Sequence, residues 1–158
     1  MKGLQKILQF GGFLLGAVAF ILMLACNSMT FTVGNTTISY SGKLGIFGGE
    51  SLFIEYKATW TAIIAFILFI VALLAIICAL VLPLVNKKSK GSKMLAFIAA
   101  IAIIVAGVLL FFEVGAFTSA NDISSTKGYA LGIGWIFSAI LGIVSGCLML
   151  CSNLVKGK

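Results

Sequence analysis

Apolar residues run on in this chain for longer than a soluble helix needs. Four such runs cover roughly Ile7–Asn27, Ala58–Val85, Met94–Phe112 with an apolar extension to Phe117, and Gly128–Ser152. A hydrocarbon core takes about 20 apolar residues per helix. The pattern therefore predicts an all-α membrane protein, a single domain over 1–158 built as a four-transmembrane-helix bundle. Between the first two runs the period changes. In MTFTVGNTTISY, apolar and polar side chains alternate around Gly34-Asn35, the pattern of two strands joined by a two-residue turn.

The expected register pairs Val33 with Thr36, Phe31 with Ile38 and Met29 with Tyr40. Met29, Phe31, Val33, Ile38 and Tyr40 then share one face, and Thr30, Thr32, Thr37 and Ser39 the other. A slip of one residue would invert both faces. Because a lone hairpin is marginal in water, SLFIEYK at 51–57 is expected as a third strand, giving a small antiparallel sheet within the loop 28–57. Its Leu52, Ile54 and Tyr56 would share one face, with Phe53, Glu55 and Lys57 on the other. The intervening SGKLGIFGGE, with four glycines, reads as a mobile connection carrying an exposed Ile46-Phe47 tip. The later TSANDISSTK reads as a plain polar link. Phe31, Val33, Ile38, Tyr40, Ile46 and Phe47 form the candidate docking face. So much apolar surface must cover the end of the bundle, touch the membrane or meet another protein. Asn35-Thr36-Thr37 also matches a glycosylation triplet.

Composition agrees with the lipid reading: 61% of the 158 residues are hydrophobic and 9% charged, with a mean hydropathy of +1.22. Charge adds a direction. In a four-span layout Lys2, Lys6, Lys87, Lys88, Lys90, Lys93, Lys156 and Lys158 fall on one side. Lys43, Lys57 and Lys127 fall on the other, with Glu50, Glu55, Glu113 and Asp122. Flanking lysines mark the cytoplasmic side, so both termini and the loop 86–93 are expected inside, and the sheet outside, most simply at the plasma membrane. The pI near 9.4 does not indicate nucleic acid. All eleven basic residues are lysines, none able to make the bidentate contacts of arginine. NKKSKGSK suits anionic headgroups instead. The N-terminal MKGLQK and its apolar run are read as the first span rather than a signal peptide, with lipidation of Cys26 the lesser alternative.

Reactive groups are few. There is no histidine. Cys26 lies a membrane thickness from Cys147 and Cys151, too far for a disulfide, and with Cys78 these are read as small apolar residues. No metal ligand set, cofactor or catalytic residue is expected, and the chain is read as not an enzyme. Glu113 follows Lys93 by 20 residues, about 30 Å of helix, and is expected at the outer headgroup level. Ser138 and Ser145 are expected to bond between helices. Small residues recur at four-residue spacing in Gly12-x-x-x-Gly16, Gly128-x-x-x-Gly132 and Gly142-x-x-x-Gly146, with Ala99, Ala102 and Ala106 in span three. These glycines are the candidate helix-packing interface.

The layout of four spans, two cytoplasmic ends, a stranded first outer loop and a shorter second one resembles the claudin-type tetraspan proteins. Gly45-Ile46-Phe47 stands in for that family's Gly-Leu-Trp, and the outer loop has no cysteine pair. The resemblance implies cell adhesion through the outer loop and transfers no residue role. The function expected is a non-enzymatic membrane protein acting through contacts, as a homo-oligomer or as an accessory subunit of another membrane protein. The alternative is an oligomeric pore.

Overall fold

The computed structural model describes residues 2–85 and 91–154. Lys87, Lys88, Lys90, Lys156 and Lys158, used above for orientation, lie outside the described residues. In chain order the elements are α1 (Lys2–Ala25), β1 (Asn27–Val33), β2 (Thr36–Ser41), α2 (Gly42–Phe47), β3 (Gly49–Ser51), β4 (Ile54–Tyr56), α3 (Trp60–Val85), α4 (Gly91–Leu110), α5 (Glu113–Ala120), β5 (Tyr129–Leu131) and α6 (Ile133–Leu154). Four of them, α1, α3, α4 and α6, are long and apolar enough to cross a membrane.

These four pack side by side in alternating directions. Gly12 faces Ser145 and Met149, Ala19 meets Ser138, and Met23 meets Trp135, so α1 and α6 are antiparallel. The bundle is small inside and large outside. Ala62, Ala65, Ala72 and Ala79 of α3 and Ala96, Ala99, Ala100 and Ala106 of α4 are buried, whereas Ile67, Leu74, Phe97, Ile101, Phe137 and Ile140 are exposed. In water this arrangement would be unfavourable. In lipid, large side chains lose nothing by facing outward, and small ones let backbones approach. Ser138 and Ser145 of α6 donate to the carbonyls of Ala19 and Gly12, each at 2.6 Å, and Ser92 of α4 donates to Ala79 at 2.6 Å.

The remaining elements form a head on one end of the bundle. β1 and β2 pair in the expected register, Val33 with Thr36, Phe31 with Ile38 and Met29 with Tyr40. Gly34, at φ +57°, supplies the first turn position where a side chain would be strained. Met29, Tyr40, Leu44, Tyr56 and Phe117 form a second core beneath the sheet. The Tyr40 ring lies 5.3 Å from Tyr56 and 5.5 Å from Phe117, and Phe31 stacks on Tyr129 at 4.4 Å. Pairs at such spacings add about 0.5–1.5 kcal/mol beyond burial.

Several expectations are corrected here. The third strand of the sheet is β5, which pairs with β1. Residues 49–56 instead make a separate hairpin, β3 with β4. The segment 42–47 is not a mobile link but the helix α2, capped by the Ser41 hydroxyl at the Leu44 amide. Residues 118–120 of TSANDISSTK close α5, and the rest links α5 to β5, with Asn121 Oδ1 accepting from the Lys57 amide at 2.7 Å. The third span stops at Leu110, where Phe111 and Phe112 bond three residues back and tighten the turn. The fourth helix begins at Ile133, so Gly128 and Gly132 bracket a strand.

Candidate functional site

Where the head meets the bundle, the turn after α4 swings Glu113 inward as the first residue of α5. Its side chain is 0% exposed. Two hydroxyls from the start of α3 meet it: Thr59 Oγ1 lies 2.7 Å from Oε1, and Thr61 Oγ1 lies 2.6 Å from Oε2. Contacts this short are typical of a hydroxyl donating to a charged oxygen. α2 lies over the carboxylate at Gly45. A Cβ there would stand 3.0 Å from Glu113 Oε1 and 3.2 Å from the Trp135 ring, so any larger residue would make these groups give by a few tenths of an ångström. Trp135, fully buried, anchors the far side by donating Nε1–H to the Met23 carbonyl at 2.8 Å.

Burial pushes the Glu113 carboxyl up to about 7, against the opposing pull of the Thr61 and Thr59 hydroxyls. Among the described residues no charged group compensates it. On the packed segments Lys43 of α2 is exposed, and Lys57 reaches Asp122 at 3.5 Å on the surface. The interfacial position expected for Glu113 is thus overturned. A run of 20 residues fixes the height of a group along a helix but not the direction it faces, and the break at Phe111-Phe112 turns this one inside. In the second core, burial and the Tyr56 hydroxyl raise Tyr40 above the ordinary tyrosine range.

The other candidate residues fall into distinct groups. Gly12, Gly16, Gly142 and Gly146 face other helices of the same bundle; a Cβ on Gly146 would meet the Ala100 carbonyl at 2.8 Å. Gly128 and Gly132 lie instead against β1, where a Cβ would strike the carbonyls of Thr32 and Asn27. Of the docking face, Tyr40 and Ile46 are buried, Phe31 and Ile38 are half-buried against the second core, and Val33 and Phe47 are exposed. Among the described residues, no group of three His, Cys, Asp or Glu side chains is placed to hold a metal.

Thr59, Thr61, Gly42 and Trp135 did not stand out in the sequence. The one signal was Thr59-Trp60-Thr61, two hydroxyls at the mouth of an otherwise apolar run. The hairpin tip was also missed: Leu52 and Phe53 occupy the two turn positions between the paired Ser51 and Ile54, with φ +53° and +64°. Phe53 is 97% exposed. No protein-family model matches the chain, and no curated protein matches it either.

Proposed function

We propose that the chain is a non-enzymatic integral membrane protein that acts through contacts made by its head, with a second copy or with another membrane protein. The head would lie outside the cell and both termini inside, as the lysine distribution favours. The observation that carries this reading is the β3–β4 turn. A two-residue turn with positive φ at both positions is cheap for Asn-Gly and costly for bulky side chains. Here it holds Leu and Phe, and it projects a phenyl ring that almost nothing in the chain covers. Backbone strain at an exposed apolar tip is characteristic of a binding element. The hairpin joins the head's core through the buried Tyr56, and the tip stands out from that anchor. Lipid facing the outer helix surfaces is the other partner.

The double variant Leu52→Asn/Phe53→Gly separates the two roles of the turn. It relieves strain and should leave thermal stability equal or higher, while removing the contact. Wild type in nanodiscs or mild detergent should assemble or capture its partner, and the variant should not. A wild type that stays monomeric and captures nothing, or a variant that associates unchanged, would refute the proposal.

A further inference from the structure

We propose that Glu113 is a proton-binding site that latches the head to the bundle, closing a hydrogen-bond chain through Thr59 to the Gly45 carbonyl of α2 when protonated and opening it when ionised. The geometry begins with a hydroxyl that has two acceptors. Thr59 Oγ1 lies 2.7 Å from Glu113 Oε1 and 3.1 Å from the Gly45 carbonyl, yet it carries a single proton. With Glu113 ionised, that proton points at the carboxylate. The Gly45 carbonyl then keeps only the Thr59 amide, at 2.9 Å. With a proton on Oε1, the carboxyl donates to Thr59 Oγ1, whose own proton turns to Gly45, while Thr61 still donates to Oε2. The neutral cluster therefore has one more hydrogen bond than the ionised one, and no buried charge. The proton is taken from water and returned to it, with no other bond made or broken.

Every element packed on the carboxyl agrees. α2 brings Gly45, α3 and the residue before it bring Thr61 and Thr59, and α6 brings Trp135. None of these carries a charge. Lys43 and Lys57 of the neighbouring segments are exposed, and the Tyr40 and Tyr56 hydroxyls bond each other at 3.3 Å. The raised affinity of the carboxyl for its proton, to about 7, is the electrostatic counterpart of this arrangement. A metal ion fits less well, because oxygen-bound cations need about six ligands spaced around them. Here the carboxylate and hydroxyl oxygens are already in direct contact. The latch joins three parts of the chain, α5, the α2 cap and the start of α3, so the seating of the head on the bundle depends on one proton.

The test is infrared titration of the full chain in nanodiscs, following the carboxylic C=O stretch. Glu50, Glu55 and Asp122 are exposed and Glu113 is fully buried, so a band lost near neutrality and missing in Glu113→Gln reports Glu113. The expected result is a midpoint near 7 that is absent in Glu113→Gln. Thr61 donates to the carboxyl in both states, and more strongly to the ionised one, so Thr61→Val should tighten proton binding by up to about tenfold, whereas Thr59→Val removes bonds from both forms and should move the midpoint less. Hydrogen exchange of the α2 amides, corrected for intrinsic rate, should accelerate above the midpoint in wild type only. The proposal is overturned by the absence of any neutral-range carboxyl band, by a midpoint that moves with sodium concentration at constant ionic strength, or by α2 exchange indifferent to the titration. Should Glu113→Gln fail to fold, the wild-type midpoint and its larger response to Thr61→Val than to Thr59→Val still decide the question.

Discussion

Adding one methyl group at Gly42 should detach the head from the bundle. A Cβ at this position would stand 2.0 Å from the Met23 carbonyl oxygen, 2.9 Å from the Cys26 carbonyl and 2.9 Å from Trp135 Nε1. The first is a backbone atom at the end of α1 and cannot rotate away. Restoring an ordinary contact requires α2 to retreat by more than about 1 Å, well beyond what a close-packed interior absorbs. That retreat breaks the Gly42 amide's bond to Cys26 at 2.9 Å, and any shortfall leaves the methyl crowding the Trp135 Nε1 bond to Met23 at 2.8 Å. Overpacking costs about 1–3 kcal/mol, and each buried bond left unmade costs about 1–3 kcal/mol more. Partial relaxation brings the expected loss for Gly42→Ala to about 4 kcal/mol, close to a thousandfold in the folded population.

The control is Gly11→Ala, one helix away, where a Cβ meets nothing within 4 Å. That variant should be neutral or slightly stabilised, since alanine favours helix by up to about 1 kcal/mol over glycine. Reversible unfolding in mixed micelles, read through Trp135 emission in a Trp60→Phe background, compares the two. A Gly42→Ala protein within 1 kcal/mol of its parent, with Trp135 emission unchanged, would mean that α2 does not sit where it is described.

Further outcomes follow from the same contacts. Glu113 is held at about 7 against an ordinary 4.5, so the folded state binds this proton more tightly than the unfolded chain. The resulting stability, on the order of 3 kcal/mol, is fully present below pH 4.5 and is lost as pH rises through 7. Thermal melts across that range should show the decline in wild type but not in Glu113→Gln; parallel curves would exclude it. Phe31→Asp should loosen the sheet, because the ring stacks on Tyr129, whereas the exposed Thr37→Asp should be mild, as limited proteolysis of the head would report. Ser138→Ala and Ser145→Ala should each cost roughly 0.6–1.7 kcal/mol in unfolding experiments, the range of interhelical hydrogen bonds in membranes.

The parts of the fold legible in the sequence were those written in local periodicity. Long apolar runs mark the presence of α1, α3, α4 and α6, since lipid demands length and little else, but not every end: α4 stops at Leu110 rather than Phe117 and α6 starts at Ile133 rather than Gly128. The β1–β2 register followed from alternation about Gly34-Asn35, because a two-residue turn leaves no freedom in pairing. What escaped was decided by contacts distant in sequence. Tyr129-Ala130-Leu131 is too short to announce a strand, and it becomes one only because β1 offers a free edge. Glu113 was placed at the right end of the bundle but on the wrong side of its helix, since Thr59 and Thr61 lie more than fifty residues away. Leu52-Phe53 looked like strand by composition and is a turn by backbone, a local preference overridden by whatever the tip is for.

The order of strands in the head carries a consequence for how the chain is made. β1 is central, with β2 on one side and β5 on the other. β2 follows immediately in synthesis, but β5 appears only after three of the four long helices have been produced. Throughout that interval the far edge of β1 stands open, with unpaired amides and carbonyls that any extended segment can join. The arrival of β5 closes that edge, and α6, which follows it directly, brings Trp135 to Met23 and adds Ser138 and Ser145 to α1. Completion of the head is thereby tied to β5 and the helix that follows it. A chain cut short before β5 should expose an adhesive strand, which would make it a natural target for quality control in the membrane.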